Sequence, residues 1–379
     1  MTAESVGAGR VIGAELDARL TARDFMASTR AVVAPGRAHE CLNRAAVAFG
    51  EIVWAVVADR GFTDAGGLEP LLEDFAPGRA PLIGLVNEDP DTEEVEELWR
   101  TAQTHNAEGV IVVGGGSALC AGKAVAIRLT NDGPLSAYNG RDRLAAMPAP
   151  CLAIPTTAGS GSEVSEVVIL HERNGSENLI IRGRGYAPRV AILDGELIAT
   201  LPARPMVLAA VDALSHAYES LWSTDATSFT DAFAFASART IRRTLGPSLA
   251  GDPAAHQELI EASAMANYAC GNAELAAVHA LASAPTVHIP HGRQTGVLVL
   301  HVAEWLAPSL RPEVADESRQ IRPFYESIGF ASQFTADEVD AEDREAMVQT
   351  AISNPLLGND PVGPSVDDLR EIVARACQS

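Results

Sequence analysis

Residues 109–129 decide the fold, and they read GVIVVGGGSALCAGKAVAIRL. The run Gly109–Val113 is apolar throughout, which is typical of a strand that is buried on both faces of a parallel sheet. It continues directly into Gly114-Gly115-Gly116-Ser117, after which Ala118–Leu129 has a helical pattern. A strand, a tight glycine turn and a helix in this order predict one βα unit of an α/β fold.

Similar apolar runs recur on both sides of this unit. We predict three further strands, at Val53–Ala58, Pro81–Val86 and Cys151–Ile154. Asp91–Ala107 is predicted to be a helix, with acidic residues in its first turn, where the helix dipole favours negative charge. Strands that alternate with helices in this way predict a parallel sheet covered on both faces.

The character of the sequence changes after about residue 200. Pro205–Leu306 is rich in alanine and has few strand signals. We predict helices at Met206–Ser223, Ser228–Leu245 and Pro253–Cys270, and a last helix at Ser365–Cys377 after the loop Asn354–Pro364. A domain boundary is therefore expected near Leu201-Pro202, which gives an α/β domain over residues 1–201 and an all-α domain over residues 202–379.

Charge and cysteine usage restrict the partners and the compartment. The chain of 379 residues has 28 basic and 50 acidic residues, a formal charge of −22, which argues against nucleic acid and anionic membranes as partners. Its five cysteines are scattered and form no CxxC pair, which fits a reducing compartment. Neither a secretory signal nor a membrane-spanning run is recognisable. We expect a cytoplasmic protein.

Two glycine-rich loops follow predicted strands. In Gly114–Ser117 the glycines would let the backbone approach a phosphate, which the N-terminus of the following helix attracts. The alternative is a tight turn, because the GxGxxG fingerprint is absent. The second loop, Pro155–Glu163, reads PTTAGSGSE and is suited to ribose, phosphate or amide, or is simply a flexible loop. Two such loops at the carboxyl ends of parallel strands favour a nucleotide crevice.

A set of carboxylate and imidazole side chains lies in the helical half. Asp212 and His216 are four residues apart, so they share one face of a helix. His279 lies in the next helical region, and His291 follows a proline in the turn HIPHG. Three imidazoles and one carboxylate suit a divalent iron or zinc ion. The alternative is one helix-surface pair and two unrelated histidines.

Five blocks of sequence in a fixed order resemble the iron-containing (group III) metal-dependent alcohol dehydrogenase family. They lie between Val113 and Gly292 and read VGGGSALCAGK, IPTTAGSGSEVS, AILDGELIATLP, DALSHAYES and AVHALAS, the last followed by IPHG. The resemblance implies a nucleotide-binding α/β domain and an all-α domain with the active site in the cleft between them. It also implies an NAD(P)-dependent enzyme that interconverts an alcohol and an aldehyde or ketone by metal-assisted hydride transfer, and a homodimer.

The resemblance also implies which residues act. It implies cofactor contacts at Gly114, Gly115, Gly116, Ser117, Thr156 and Thr157. It implies iron or zinc ligands at Asp212, His216, His279 and His291, and so a catalytic role for His279 and His291. Asp59 matches an acidic position that faces the adenosine ribose; a carboxylate there favours NAD over NADP. The alternative for Asp59 is a turn-forming role.

Three positions depart from the family's pattern. Cys120, Asn178 and Ser283 replace an aspartate, a lysine and a histidine, and the interval from His279 to His291 is shorter than usual. Without that histidine the proton needs another route, for which His288 is the candidate; the alternative is a solvent-facing loop histidine. Two alternatives remain open. One is a metal-free enzyme that resembles the maleylacetate reductases, against which the four retained ligand-type residues argue. The other is a catalytically decayed nucleotide-binding relative, which the three departures support.

A cation near the predicted metal site suggests an anionic substrate. Arg293 follows His291 by two residues, and we hypothesise that it binds a carboxylate, phosphate or phosphonate by a bidentate contact. Arg182 and Arg184 are candidates to assist. The alternative is that Arg293 pairs with an acid and never meets the substrate.

Overall fold

A computed structural model describes residues 23–172 and 178–377 of the chain. The interpretation of the extreme N-terminus lies outside these residues. The strands of the described part, β1 to β9, are Arg30–Val33, Trp54–Asp59, Leu82–Val86, Gly109–Gly114, Gly140–Arg141, Cys151–Pro155, Val167–His171, Asn178–Arg182 and Val190–Leu193.

Six of these strands form one sheet in the order β1-β9-β6-β4-β2-β3. Every pair in it is parallel. The four strands predicted from apolar runs lie at its centre and at one edge, with ends within one residue of the prediction, so the predicted parallel sheet is confirmed. A small second sheet, in the order β5-β8-β7, was not predicted.

The helices of the described part are numbered α1 to α14 in chain order. They are Ala38–Val47, Arg60–Asp64, Leu68–Leu72, Thr92–Thr104, Gly116–Arg128, Ala203–Trp222, Ser228–Leu249, Pro253–Ala273, Ala277–Leu281, His291–Leu306, Pro312–Ser318, Ile321–Ile328, Ala341–Ser353 and Val366–Ala376. The predicted loop before α14 contains a short 3-10 turn at Pro355–Asn359. No described helix has the length and apolar character needed to cross a bilayer.

The central strands β4, β6 and β9 are buried along their whole length, because they are built from apolar and small residues. In β4, Val110 and Val112 pack into a core on the α5 face, whereas Ile111 and Val113 pack into a second core that includes Leu42 of α1. Alternation along a strand produces this division, since successive side chains point to opposite faces. Helices therefore cover both faces, as predicted.

The helical half has a core of its own. It is built mainly from α6, α7, α8 and α10, and its fully buried members include Leu214, Tyr218 and Val297. The last strand of the main sheet ends at Leu193 and the first long helix begins at Ala203. The expected α/β and all-α halves are thus present, while the domain boundary near residue 201 stays a prediction.

Candidate active site

The strand order creates a crevice between β2 and β4. These strands are neighbours, but the chain leaves β2 towards β3 on one side and leaves β4 towards β6 on the other. In open α/β sheets, ligands bind at such a switch point, outside the carboxyl ends of the strands. Asp59 ends β2 and Gly114 ends β4, so both lie at this point.

The backbone at the crevice requires a residue without a side chain at position 114. Its φ is +155°, and a Cβ built on it would lie 2.8 Å from the Cβ of Asp59 and 2.6 Å from that of Ala118. A side chain would therefore fill the space between β2 and the first turn of α5. Glycine instead leaves the peptide groups at the N-terminus of α5 open to an anion.

The two glycine-rich loops form one surface. Thr156 donates its backbone N–H to the Gly114 carbonyl oxygen at 3.1 Å. A Cβ on Gly115 would lie 3.2 Å from Thr157, and one on Gly116 would lie 2.9 Å from the Ser160 hydroxyl oxygen. Ser117, in the first turn of α5, accepts the Asp89 backbone N–H at 3.1 Å. The seven predicted cofactor residues therefore lie at one edge of the sheet; that they bind a cofactor stays a prediction.

Asp59 also has the turn-forming role that the sequence left open. Its Oδ1 accepts the Phe62 backbone N–H at 2.8 Å and caps the N-terminus of α2. This bond fixes the carboxylate beside Gly114. A capping bond through one oxygen is compatible with a ribose contact, so both interpretations of Asp59 stand.

Three of the predicted metal ligands meet in the helical half. Asp212 and His216 lie one turn apart on α6, and His279 lies on the short helix α9. One potential ligand atom from each of the three lies within 4.8 Å of the others. The rings of His216 and His279 stack with their centroids 4.9 Å apart. All three side chains are buried.

His291 stands at the open side of this cluster. Its Nε2 lies 3.6 Å from Asp212 Oδ1, and 54% of its side chain is exposed. It is the first residue of α10, and the next residue, Gly292, packs so closely on α6 that a Cβ would lie 2.2 Å from the Leu208 carbonyl oxygen. The absence of a side chain at 292 therefore lets His291 approach Asp212.

Glu219, which the sequence analysis did not single out, orients His279. Its Oε1 accepts the backbone N–H groups of Ala276 and Val278 at 2.9 Å and that of His279 at 3.3 Å. Its Oε2 bonds to His279 Nδ1. The sequence contained a signal for this role, because Glu219 follows His216 by three residues and so lies on the same face of the helix. A carboxylate that holds one ring nitrogen directs the other towards a metal.

The protonation states of Asp212 and His216 fit a cation in this cluster. Burial lowers the pKa of His216 to about 4, so its ring is neutral at pH 7, the form that binds a metal. Burial raises the pKa of Asp212, but the three nearby imidazoles outweigh it and the net shift is downward. Thr295 stabilises the carboxylate further by donating its hydroxyl to Asp212 Oδ1 at 2.9 Å.

Two buried nitrogen atoms indicate whether this cluster is suited to a metal ion. His216 Nδ1 and His279 Nε2 have no hydrogen-bond partner among the described residues. An unsatisfied buried polar atom is costly, at about 1–3 kcal/mol each. A divalent ion held by imidazole nitrogens and a carboxylate oxygen would satisfy such atoms, and iron and zinc accept this donor set. The residues present therefore fit the implied metal.

The structure favours the alternative for Arg293, in which its guanidinium pairs with an acid. Its Nε and one terminal nitrogen each donate to the Glu338 carboxylate at 2.9 Å. The terminal nitrogens also donate to the carbonyl oxygens of Ala331 and Gln333. The buried guanidinium is thus hydrogen-bonded to the segment after α12.

The other candidate cations are also paired. Arg182 forms an ion pair with Glu274, and Arg184 forms one with Asp24. His288 lies exposed on the loop between α9 and α10, so its role in proton transfer stays a prediction.

The departures from the family's pattern have local partners. Cys120 Sγ lies 3.6 Å from the Ser162 hydroxyl oxygen in the second glycine-rich loop. Ser283 donates its hydroxyl to the His279 carbonyl oxygen at 2.6 Å, so it binds the backbone at the end of α9. Asn178 begins β8 of the small sheet.

Sequence profiles of two known families match the chain. The profile of the iron-containing alcohol dehydrogenases matches residues 28–195. That of the C-terminal part of the Fe-containing alcohol dehydrogenase family matches residues 206–311. The two matches correspond to the α/β half and to the first part of the helical half.

Individual relatives agree with the profiles. A sulfoacetaldehyde reductase of Bilophila wadsworthia is 33% identical over 244 residues, which cover 62% of this chain and 63% of the relative. An alcohol dehydrogenase of Thermococcus barophilus is 28% identical over 316 residues, 77% of this chain and 82% of the relative. The structure of the sulfoacetaldehyde reductase of Bifidobacterium kashiwanohense in complex with NAD+ superposes with a TM-score of 0.84 at 25% identity, covering 94% of this chain and 99% of that one.

The matched stretch thus spans just under two thirds of the Bilophila relative. The fold, the order of the motifs and both profiles nevertheless agree over most of this chain. The resemblance inferred from five sequence blocks is confirmed, and the chain belongs to the iron-containing alcohol dehydrogenase family.

Proposed function

We propose that the chain is an NAD(P)-dependent alcohol dehydrogenase or aldehyde reductase that interconverts an alcohol and an aldehyde or ketone by metal-assisted hydride transfer. The observation that carries the proposal is the buried cluster of Asp212, His216 and His279, with two unpartnered nitrogens, in a chain of this family. A metal-free reductase would have no use for these nitrogens. The same cluster argues against a decayed nucleotide-binding protein.

In this proposal the helical half holds one iron or zinc ion. Asp212, His216, His279 and His291 are its ligands, and Glu219 keeps the His279 ring in orientation. When bound, the ion supplies a Lewis acid that stabilises negative charge on the substrate oxygen. His291 is the most exposed of the four side chains, which supports a substrate position on its side of the cluster.

The α/β half binds the nicotinamide cofactor. Backbone N–H groups at Gly115, Gly116 and Ser117 hold the pyrophosphate at the start of α5, and Thr156 and Thr157 support it from the second loop. The Asp59 carboxylate accepts a ribose 2′-hydroxyl and repels a 2′-phosphate, so NAD is favoured over NADP.

The substrate is a small alcohol or carbonyl compound. An anionic aldehyde agrees with the names of two relatives, both sulfoacetaldehyde reductases. For this chain the proposal does not use Arg293, because Glu338 occupies that guanidinium. We further propose a homodimer in the cytoplasm; the dimer follows from the family, and five free cysteines support a reducing compartment. Light scattering of the purified protein tests the dimer.

Metal analysis tests the central proposal. Elemental analysis of the purified protein is expected to find about one iron or zinc per chain, as a single four-ligand site requires. His216→Ala is expected to lose both the metal and NAD-linked turnover of small aldehydes. His105→Ala, which changes an exposed histidine, is the control. Full activity of a metal-free wild-type enzyme contradicts the proposal.

Cofactor preference tests the role of Asp59. Asp59→Ser is expected to shift the ratio of kcat/KM values towards NADP, because it removes the negative charge beside the 2′ position. Asp64→Ser removes an exposed carboxylate at the end of the same short helix and is the matched control. An unchanged ratio in Asp59→Ser means that this residue serves only as the cap of α2.

A further inference from the structure

The helix that carries His279 is too short to hold itself in place. Helix α9 has five residues, Ala277–Leu281, whereas isolated helices shorter than about 12 residues are marginal in water. Its orientation must therefore come from contacts with its surroundings. Glu219 supplies those at its start from α6.

A second set of contacts comes from the far end of the chain. The segment Asn354–Asp360, here named the brace, contains the 3-10 turn between α13 and α14. Asn359 Nδ2 donates to the Leu275 carbonyl oxygen at 2.8 Å, just before α9. The Thr224 backbone N–H, just after α6, donates to the Asn359 carbonyl oxygen at 2.9 Å. Asn359 therefore joins the start of the His279 helix to the end of the Asp212 helix.

The brace also reaches the other end of α9. Asn354 Nδ2 donates to the Ser283 hydroxyl oxygen at 3.4 Å. Ser283 in turn donates to the His279 carbonyl oxygen at 2.6 Å. Ser283, one of the departures from the family's pattern, thus links the brace to the backbone of a proposed metal ligand.

Asp360 ends the brace with a buried carboxyl group. The residue is 5% exposed, and no side chain of the described residues hydrogen-bonds its carboxyl oxygens. Burial, reinforced by the nearby Glu219 carboxylate, raises its pKa to about 8, and the backbone of Ala277 opposes the shift. Asp360 directly follows Asn359, whose side chain binds the Leu275 carbonyl oxygen, so the buried carboxyl group lies near the start of α9, where Glu219 also binds. A neutral carboxyl fits there, because two adjacent buried carboxylates repel each other.

We propose that the brace is a positioning element of the metal site, with Asp360 as the residue that packs behind Glu219 and the first turn of the His279 helix. The inference rests on the proposed metal-binding function and adds residues that touch neither metal nor substrate. Asn354 and Asp360 act through the backbone of α9 and through Glu219. Loss of either loosens the direction of the His279 ring and speeds metal release.

The test uses the full-length protein loaded with Co²⁺, whose visible spectrum reports the geometry of its ligands. Three variants are compared with the wild type: Asp360→Ala, Asp360→Asn and Asn354→Ala. Release of Co²⁺ to a chelator is expected to be about tenfold faster in the two alanine variants, the lower range for residues that support metal ligands. Their spectra are expected to shift, and Asp360→Asn, which keeps the shape of a neutral carboxyl, is expected to restore both readouts.

Controls separate positioning from general stability. Asp367→Ala removes a carboxylate that is 96% exposed on α14 and is expected to leave both readouts unchanged. Wild-type release rates and spectra in Asp360→Ala and Asn354→Ala overturn the inference. The inference is also overturned if these variants only lower the stability of the metal-free protein and release Co²⁺ at the wild-type rate. If Asp360→Ala does not fold, the inference is tested by Asn354→Ala alone. The Asn354 side chain is only partly buried, so this variant is expected to fold. A wild-type protein that binds no Co²⁺ overturns the proposed function itself.

Discussion

The Glu219 carboxylate accepts four hydrogen bonds from the segment Ala276–His279. In Glu219→Gln one acceptor oxygen becomes an NH2 donor. If the remaining oxygen keeps the three backbone N–H groups, the NH2 group faces His279 Nδ1, so the ring loses its fixed tautomer and direction. We expect metal affinity to fall about 10–100-fold, the usual cost of losing such a partner. A metal titration by calorimetry measures it.

The control for this substitution is Glu258→Gln. Glu258 pairs with Arg243 in an exposed ion pair, so its loss removes the same charge without touching the cluster. Equal metal affinities of Glu219→Gln and the wild type would mean that His279 does not depend on Glu219 for its orientation.

The Arg293–Glu338 pair gives a pH-dependent prediction. The hydrogen bond from Arg293 lowers the pKa of Glu338 to about 2, from an ordinary value of 4.5. A carboxyl whose pKa is lower in the folded state stabilises the fold above its unfolded pKa and loses this contribution as pH falls. Glu338→Gln is therefore expected to lower the free energy of unfolding by about 2 kcal/mol at pH 6, within the range for hydrogen bonds to charged groups.

Denaturant unfolding of the wild type and Glu338→Gln between pH 6 and pH 3 checks the prediction. The difference between the two proteins should shrink as the pH falls from about 4.5 towards the folded pKa near 2. Activity towards anionic and neutral aldehydes should change equally. A selective loss for the anionic substrate would return Arg293 to the active site.

Some contacts of these residues could be predicted from the sequence and others could not. Spacing along one helix was enough to pair Asp212 with His216. His279 and His291 needed the family resemblance, because their approach to α6 depends on tertiary packing. The pairing of Arg293 with Glu338 was not predicted, because Glu338 lies 45 residues further along the chain and no local sequence pattern indicates the contact.

At the scale of elements, the contact between α10 and α6 depends on Gly292. A Cβ there would lie 2.2 Å from the Leu208 carbonyl oxygen, which is backbone and cannot give way cheaply. Gly292→Ala is expected to push the start of α10 away from α6 and to carry His291 with it. We expect a loss of about 1–3 kcal/mol in the free energy of unfolding, as for overpacked cores, and weaker metal binding.

Gly246→Ala is the matched helical control. A Cβ on Gly246 of α7 has no atom within 4 Å, so alanine is expected to stabilise that helix by roughly 0.5–1 kcal/mol. Denaturant titrations and metal titrations of both variants check the pair. Unchanged metal affinity in Gly292→Ala would show that His291 is not held by this contact.

The main elements were predictable because their patterns are strong. β2, β4 and β6 are continuous apolar runs, and α6 to α8 are long. β1 was missed because it is a short edge strand whose residues are largely exposed. The small sheet was missed because alternating buried and exposed residues in β7 and β8 give weaker signals than a buried run.

At the scale of the whole molecule, the second glycine-rich loop connects the two halves. It follows β6, yet Gly159 packs so closely on α6 that a Cβ would lie 2.8 Å from the Ala209 backbone. From α8, Ser263 donates to the Gly159 carbonyl oxygen at 3.1 Å and Asn267 donates to that of Ser160 at 2.8 Å. The predicted cofactor loop thus lies against the helix that carries Asp212.

The proposed metal site also couples distant parts of the helical half. Asp212 and Thr295, which donates to it, are 83 residues apart, so the site exists only in the folded chain. A ligand that binds only the folded state stabilises it by about 2.7 kcal/mol when its free concentration is 100 times its Kd. For a chain of this length that corresponds to a rise in Tm of roughly 3 °C. We expect Zn²⁺ to produce such a rise in the metal-depleted wild type, measured by calorimetry, and a chelator to reverse it. His216→Ala should abolish the rise, whereas His105→Ala, in which an exposed histidine is removed, should keep it in full. An equal rise in His216→Ala would assign the effect to metal binding elsewhere on this acidic surface, and the four proposed ligands would lose their support.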